Sequence, residues 1–244
     1  MKIVIVIPAR YNSSRFPGKP LAEIIGEPMI VRVSRLCSLA LKKSLVFVAT
    51  DDQRIKDVVE KAGFNVVMTQ HHHPTGTDRV AEVSELIDAD IYINVQGDEP
   101  LVDPNEIKKV INEKVKHPDS VIKAYTKILS NEDPEDVNTP KVIFNNSKQM
   151  VYMSRQKIPG SKTLDLKPKD YYKAVCIYAF NKNELKAFKA YGKKSDLEKA
   201  EDIEILRFLD LGLPVRLVET KSISIAVDRP DDIKKVEEFI TSSK

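Results

Sequence analysis

Hydrophobic and polar positions in the first half of the chain alternate between two kinds of segment. Ile3–Ile7 is an unbroken β-branched run, the pattern of a strand buried on both faces of a parallel sheet. Pro8 closes it, and a polar segment continues to about Pro20. Pro28 then opens an amphipathic helix predicted through about Leu41. Leu45–Thr50 reads as a second strand, Asp51-Asp52 as the cap of a helix ending near Gly63, and Phe64–Thr69 as a third strand. A helix over about Thr77–Ile87, a strand over Ile91–Val95, and a helix from Asp103-Pro104 to about Lys116 complete the series. Strand and helix in strict alternation predict crossover units and an α/β fold with a mostly parallel sheet.

After Ser120 the pattern changes. Val121–Leu129, Val142–Phe144, Gln149–Ser154 and Lys173–Phe180 read as strands separated by Pro-, Asn- and Lys-rich stretches, which suggests antiparallel material in a β-rich insertion or flank. A helix over Leu197–Leu211, short strands near Val215–Val218 and Ile223–Val227, and a terminal helix from Pro230 follow. With no internal repeat and no linker, the expectation is a single domain over 1–244. Its alternating strand-helix part would be about 1–120 and 197–244, and its β-rich sub-region about 121–195.

Composition narrows the classes. With 42% hydrophobic residues and a net charge of +3, the chain is neither disordered nor charged like a nucleic-acid binder. Cys37 and Cys176 are lone thiols without a CxxC, which fits a reducing cytosol rather than a disulfide scaffold. No apolar run approaches a membrane span, and the first is too short for a signal peptide, so a soluble, cytoplasmic protein is expected. The chain has 29 Lys and only 10 Arg. Each Arg therefore invites the question of whether its planar fork grips phosphate or carboxylate.

Arg10, Arg15 and Lys19 lie with Ser13, Ser14 and Gly18 in the polar segment past the first strand. Open α/β sheets bind ligands there, and backbone N–H groups with three cations suit a polyphosphate. The alternative is a solvated basic loop. The segment is neither a Walker A loop nor a GxGxxG. Thr75-Gly76-Thr77 with Arg79 a turn later reads as an anion- or base-recognising helix start, or as an ordinary N-cap. His71-His72-His73 lacks the spacing of a metal site. Asp98 directly follows a buried strand, and Asp228 follows another. Each is a Mg²⁺ ligand candidate if the two strands share a sheet, and otherwise a capping or turn aspartate. Glu198, Glu201 and Glu204, three apart on the expected helix, read as a solvated face. Apart from the cluster only His117 is present, so a His-dependent hydrolase has little to work with. A phosphate loop with metal carboxylates and no nucleophile points to phosphoryl or nucleotidyl transfer.

Ile7-Pro8-Ala9-Arg10-Tyr11, Phe16-Pro17-Gly18-Lys19-Pro20-Leu21, Ala49-Thr50-Asp51, Thr75-Gly76-Thr77-Asp78-Arg79 and Asn94-Val95-Gln96-Gly97-Asp98-Glu99-Pro100 together resemble the 3-deoxy-manno-octulosonate cytidylyltransferase (CMP-Kdo synthetase) family. Tyr152-Met153-Ser154-Arg155, Leu197-Glu198, Glu201, Glu204-Ile205-Leu206-Arg207 and Val227-Asp228 extend the likeness along the chain. The resemblance implies a Rossmann-like nucleotide-diphospho-sugar transferase fold and a Mg²⁺-dependent enzyme. It would transfer CMP from CTP to Kdo, releasing pyrophosphate, for lipopolysaccharide assembly. It also implies roles. Arg10, Arg15 and Lys19 would hold the triphosphate, with Arg10 and Lys19 catalytic. Thr75, Thr77, Arg79 and Gln96 would bind CTP. Asp98 and Asp228 would hold one or two Mg²⁺ ions and act in catalysis. Gln96, Arg155, Tyr178 and Glu204 would face the sugar. A cytoplasmic homodimer with contacts through the β-rich part is implied too. Many relatives have His at Ala174, Gln at Ile205 and Asp at His72. The first two departures fall on the sugar side that the resemblance implies, so a sister CMP-sugar-acid synthetase acting on a modified Kdo or a sialate is the first alternative, and a non-catalytic nucleotide-binding module the second.

Overall fold

The computed structural model describes the whole chain except Ser14, Ser222, Ile223, Ser224, Ser243 and Lys244. In chain order the elements are β1 (Ile3–Ala9), β2 (Glu23–Ile24), β3 (Glu27–Pro28), α1 (Met29–Ala40), β4 (Val46–Thr50), α2 (Gln53–Lys61), β5 (Asn65–Met68), α3 (Gly76–Leu86), β6 (Ile91–Val95) and α4 (Pro104–Lys116). Then follow β7 (Val121–Lys127), β8 (Lys141–Phe144), β9 (Met150–Ser154), β10 (Tyr172–Asn181), α5 (Lys182–Ala190), α6 (Asp196–Glu201), α7 (Leu206–Asp210), β11 (Val215–Glu219) and α8 (Pro230–Ser242).

The main sheet runs β11-β7-β10-β6-β1-β4-β5. β1 is parallel to β4 and β6, and β11 to β7; β10 is antiparallel to both of its neighbours. The mostly parallel α/β sheet expected from the sequence is present. The antiparallel material expected in the β-rich region is present as β10, which runs against both of its neighbours, and as the β8–β9 hairpin, all within the same sheet. Residues 121–195 feed β7 and β10 into this sheet, and the β8–β9 hairpin hangs from β10.

The period-2 alternation of β1 shows why the sheet is covered on both faces. Val4 and Val6 pack with Val80, Val83, Leu185, Phe188 and Phe208, from α3, α5 and α7. Ile5 and Ile7 pack with Ile30, Val33, Ile55, Val59, Ile107 and Val110, from α1, α2 and α4. A third, smaller cluster joins Ile24 and Met29 to Val227 and Val236, which seats α8 over the β2–β3 hairpin. This last contact brings the segment carrying Asp228 back to the sheet.

Two sequence expectations need correction. The helix expected over Leu197–Leu211 is broken: α6 ends at Asp202, which is left-handed at φ 49°, and α7 begins after Ile205. The strand expected at Ile223–Val227 is not found at Ile225–Val227, while Ile223 and Ser224 lie outside the described residues. Helix α5 was not anticipated, although Asn181 and Glu184 form a reciprocal capping box at its start.

Candidate functional site

The carboxyl ends of β1 and β6, the start of α3 and the segment before α8 converge on a cavity of about 210 Å³. The polar loop after β1 is tied back on itself: Gly18 N–H and Ser13 N–H both donate to the Tyr11 carbonyl, at 2.9 and 3.0 Å. Gly18 has φ +74°, and a Cβ there would stand 3.2 Å from the Tyr11 hydroxyl oxygen, so the turn requires glycine. The Arg54 guanidinium covers the Tyr11 ring at 3.3 Å. Lys19 follows in a short 3₁₀ turn, with its ammonium aimed inward.

That ammonium joins the two distant acids. Lys19 Nζ donates to Asp98 Oδ2 at 2.6 Å and lies 3.7 Å from Asp228 Oδ1, which also accepts from Arg15 Nη2 at 2.9 Å. The juxtaposition does not come from neighbouring strands. Val227 N–H donates to the Asp98 carbonyl at 3.0 Å, clamping the segment before α8 directly onto the loop after β6. Asp232 Oδ2 accepts from the N–H groups of Asp228 and Arg229 and holds the turn. The floor is tight: a Cβ on Gly97 would stand 2.9 Å from the Pro8 carbonyl oxygen, and one on Gly76 2.8 Å from Gln96 Nε2.

Thr75 caps α3 by accepting from Asp78 N–H at 3.2 Å, and its hydroxyl donates to Asp78 Oδ2 at 2.6 Å. Arg79 is buried against Thr69 and Asp51 and still borders the cavity; burial lowers its pKa. Thr77 does not border it. Its hydroxyl is buried beside Asn94 and its N–H donates to Glu204 Oε2 at 3.0 Å, so this predicted nucleotide contact instead supports the wall. In the histidine run, His73 pairs with Glu82 while His71 and His72 are exposed.

A second cavity of about 600 Å³ adjoins the first, and Arg10, Thr75, Gln96, Asp98 and Asp228 border both. Its remaining walls come from β7, β9, β10 and the α6–α7 break, and they include Arg155, Tyr178 and Glu204. Arg155 is locked: Nε donates to the Glu201 carbonyl at 2.5 Å, Nη1 to the Val137 carbonyl at 3.1 Å and Nη2 to the Asp202 carbonyl at 3.1 Å. Gln96 Nε2 donates to Glu204 Oε1 at 3.2 Å. Desolvation raises the Glu204 pKa, opposed first by the Thr77 N–H. Desolvation also raises Tyr178.

The three glutamates are not a solvated face. Glu198 is buried on Arg207 at 2.7 Å, Glu201 accepts from the Ser154 hydroxyl at 2.6 Å and from Arg155 N–H at 2.8 Å, and Glu204 borders the cavity. Glu198 and Glu201 stand on α6 with different partners, and the break at Asp202 takes Glu204 off that helix. Of the two departures placed on the sugar side, Ala174 borders the second cavity; Ile205 does not, since its side chain belongs to the core.

Sequence reasoning passed over two features. Arg207 bridges Asp78 and Glu198, both at 2.7 Å, and ties the start of α3 to α6. Lys123 sits at the centre of β7, 1% exposed, and borders the second cavity. The ladder between β7 and β10 shifts between Ala174 and Tyr178, and the Val175 carbonyl in that bulge accepts from Lys123 Nζ at 2.7 Å. A lone Lys inside Val121-Ile122-Lys123-Ala124-Tyr125 was the signal available, because an apolar strand tolerates a charge only with a reason.

Asp98 and Asp228 fit a hard divalent ion. Two carboxylates converge on one point, where the Lys19 ammonium balances their charge. Mg²⁺ needs only one or two carboxylates when phosphate oxygens and waters fill its octahedron. Among the described residues no cluster of three His, Cys, Asp or Glu side chains forms a complete metal cage.

A family model described as Cytidylyltransferase matches residues 4–220. A 3-deoxy-manno-octulosonate cytidylyltransferase of Geobacter metallireducens is 44% identical, the match covering 99% of this chain and 98% of that protein. An 8-amino-3,8-dideoxy-manno-octulosonate cytidylyltransferase of Shewanella putrefaciens is 41% identical over 100% of both. Among solved structures, CMP:2-keto-3-deoxy-manno-octonic acid synthetase complexed with CTP matches with a TM-score of 0.90 at 36% identity, covering 100% of both chains. A cytidylyltransferase of Leptospira borgpetersenii, at TM-score 0.64 and 14% identity over 99% of this chain and 87% of that one, shares the fold alone.

Proposed function

Because the chain belongs to the cytidylyltransferase family and is a nucleotidyltransferase, we propose that it transfers CMP from CTP to 3-deoxy-manno-octulosonate, giving CMP-Kdo and pyrophosphate. The observation that carries this reading is the pair of adjoining cavities, one walled by the basic loop, meeting at Asp98, Asp228 and Gln96. The triphosphate lies in the smaller cavity and the sugar acid in the larger, so the α-phosphorus and the anomeric hydroxyl meet at their junction. The hydroxyl oxygen bonds to the α-phosphorus as the bond to the bridging oxygen of pyrophosphate breaks, and the hydroxyl proton passes to solvent.

Arg10, Arg15 and Lys19 neutralise the departing pyrophosphate. The pairs of Arg15 with Asp228 and of Lys19 with Asp98 are short but partly exposed, so phosphate oxygens can take over these cations. Asp98 and Asp228 would hold Mg²⁺, which when bound neutralises phosphate charge and acidifies a coordinated hydroxyl. Thr75, Gly76 and Arg79 shape the nucleotide side, with Thr77 behind them. Gln96, oriented by Glu204, spans the junction, while Arg155 and Tyr178 shape the sugar side. A cytoplasmic role in lipopolysaccharide assembly belongs to this reading, as does a homodimer. The apolar side chains of Leu129, Val137 and Val151, exposed around the β8–β9 region, support contact there.

The test is pyrophosphate release with each of the four nucleoside triphosphates, with and without Mg²⁺, offering Kdo, 8-amino-Kdo or a sialate. Release with CTP, Kdo and Mg²⁺ is expected. The 8-amino sugar is the serious competitor because relatives named for it are as similar as several named for Kdo. Faster turnover of 8-amino-Kdo would reassign the acceptor, and release without any sugar would overturn the synthetase reading.

A further inference from the structure

The second cavity holds a buried cation that makes no direct ion pair, although the carboxylates of Glu204 and Glu99 act on it from farther away. Lys123 is 1% exposed on β7, its ammonium donates to the Val175 carbonyl at 2.7 Å, and it lies 3.5 Å from the centre of the Tyr178 ring. Among the described residues no carboxylate comes within ion-pair distance of it; the buried Lys114, by contrast, meets Glu184 at 2.7 Å. An ammonium has three donors, and the Val175 carbonyl occupies one. Burying such a charge is costly unless an anion arrives to pair with it.

The other cations around this cavity, Arg10 apart, are already engaged. Arg155 is held by three backbone carbonyls, Lys194 pairs with Asp202 at 2.7 Å, and Arg15 pairs with Asp228. Arg10 borders both cavities, on the basic loop, whereas Lys123 borders only the second. Resting on the proposed reaction, the anion that must enter this cavity is the carboxylate of the sugar acid. We propose that Lys123 is the residue that binds this carboxylate and makes the enzyme select an acid over a neutral sugar. The β10 bulge sets the position of its ammonium, and Tyr178 faces the charge with its ring.

The test compares Kdo with its C1 carboxamide in the wild type, Lys123→Met and Lys123→Arg. With Lys123→Met, KM for Kdo should rise about a hundredfold while KM for the amide and the Kd for CTP change less than threefold. The preference for acid over amide should collapse accordingly, and Lys123→Arg should restore part of it. A merely structural lysine would weaken both sugars and CTP together, so an undiminished acid preference in Lys123→Met overturns the proposal. Should that variant not fold, a crystal structure of the wild type with the sugar acid decides. A carboxylate oxygen at about 3 Å from Nζ supports the assignment, and one beyond 4 Å overturns it. Absence of turnover with any sugar acid in the wild type overturns the reaction and this proposal together; normal turnover with an unchanged KM for Kdo in Lys123→Met overturns this proposal alone.

Discussion

The two cavities solve opposite electrostatic problems. In the smaller, the charges stand on loops and pair with partners that solvent reaches: the side chains of Arg15 and Asp228 are 52% and 39% exposed. Such pairs add little stability and exchange readily, which in the proposed reaction suits cations that pass to a polyphosphate. In the larger, the polar groups are fixed by the sheet and by main-chain carbonyls. Arg155 is bound to three of them, and Lys123 is set by a bulge. In the proposed reaction this cavity takes a sugar with many hydroxyls, which offers less charge to follow, and donors held in place beforehand suit it. Behind the residues that line the cavities, Arg207 is buried between Asp78 and Glu198 and ties the start of α3 to α6.

The largest test of this contrast is Asp98→Asn. It should lower turnover about a thousandfold with Mg²⁺ present and leave thermal unfolding nearly unchanged, because Asp98 lies on the exchangeable side. Steady-state rates within tenfold of wild type would remove the acid from catalysis. Arg207→Met should act the other way, costing about 3–5 kcal/mol of stability in urea unfolding because two carboxylates lose their buried partner. A loss under about 1 kcal/mol would show that the wall is not held by this network.

Arg155→Lys keeps the charge but cannot reproduce a three-way fork. KM for the sugar acid should rise about tenfold, with KM for CTP within twofold. A shift in the CTP value instead would dissolve the division between the cavities. The smallest effect concerns Glu204, whose pKa desolvation raises above the unfolded value. The folded chain then binds the extra proton, so this contribution is fully present below the unfolded carboxylate pKa and is lost as pH rises through the folded one. Glu204→Gln should flatten that part of a stability-versus-pH curve. An unchanged slope would show that Glu204 does not titrate there.

Local pattern was sufficient wherever one segment carried its own instructions. The β-branched run of β1, the Asp103-Pro104 start of α4 and the Thr75 cap of α3 are all found as expected. The same holds for the placement of Arg10, Lys19, Asp98 and Gln96 just past strand ends, because parallel sheets put ligand loops there. Glu198 and Glu201 of α6 and Glu204 in the break after it misled for a related reason: spacing of three assumes an unbroken helix, and Asp202 breaks it.

The sequence by itself therefore determined the alternating elements, the mostly parallel sheet and the loop that carries the cations, since these follow from backbone preference and hydrophobic period over a few residues. Only the tertiary structure decided that Asp228 reaches Asp98 through the Val227 backbone bond, that Thr77 turns into the wall, and that Lys123 is buried without a direct ion pair among the described residues. Those facts depend on which distant segments pack together, and on a burial cost that no local pattern records.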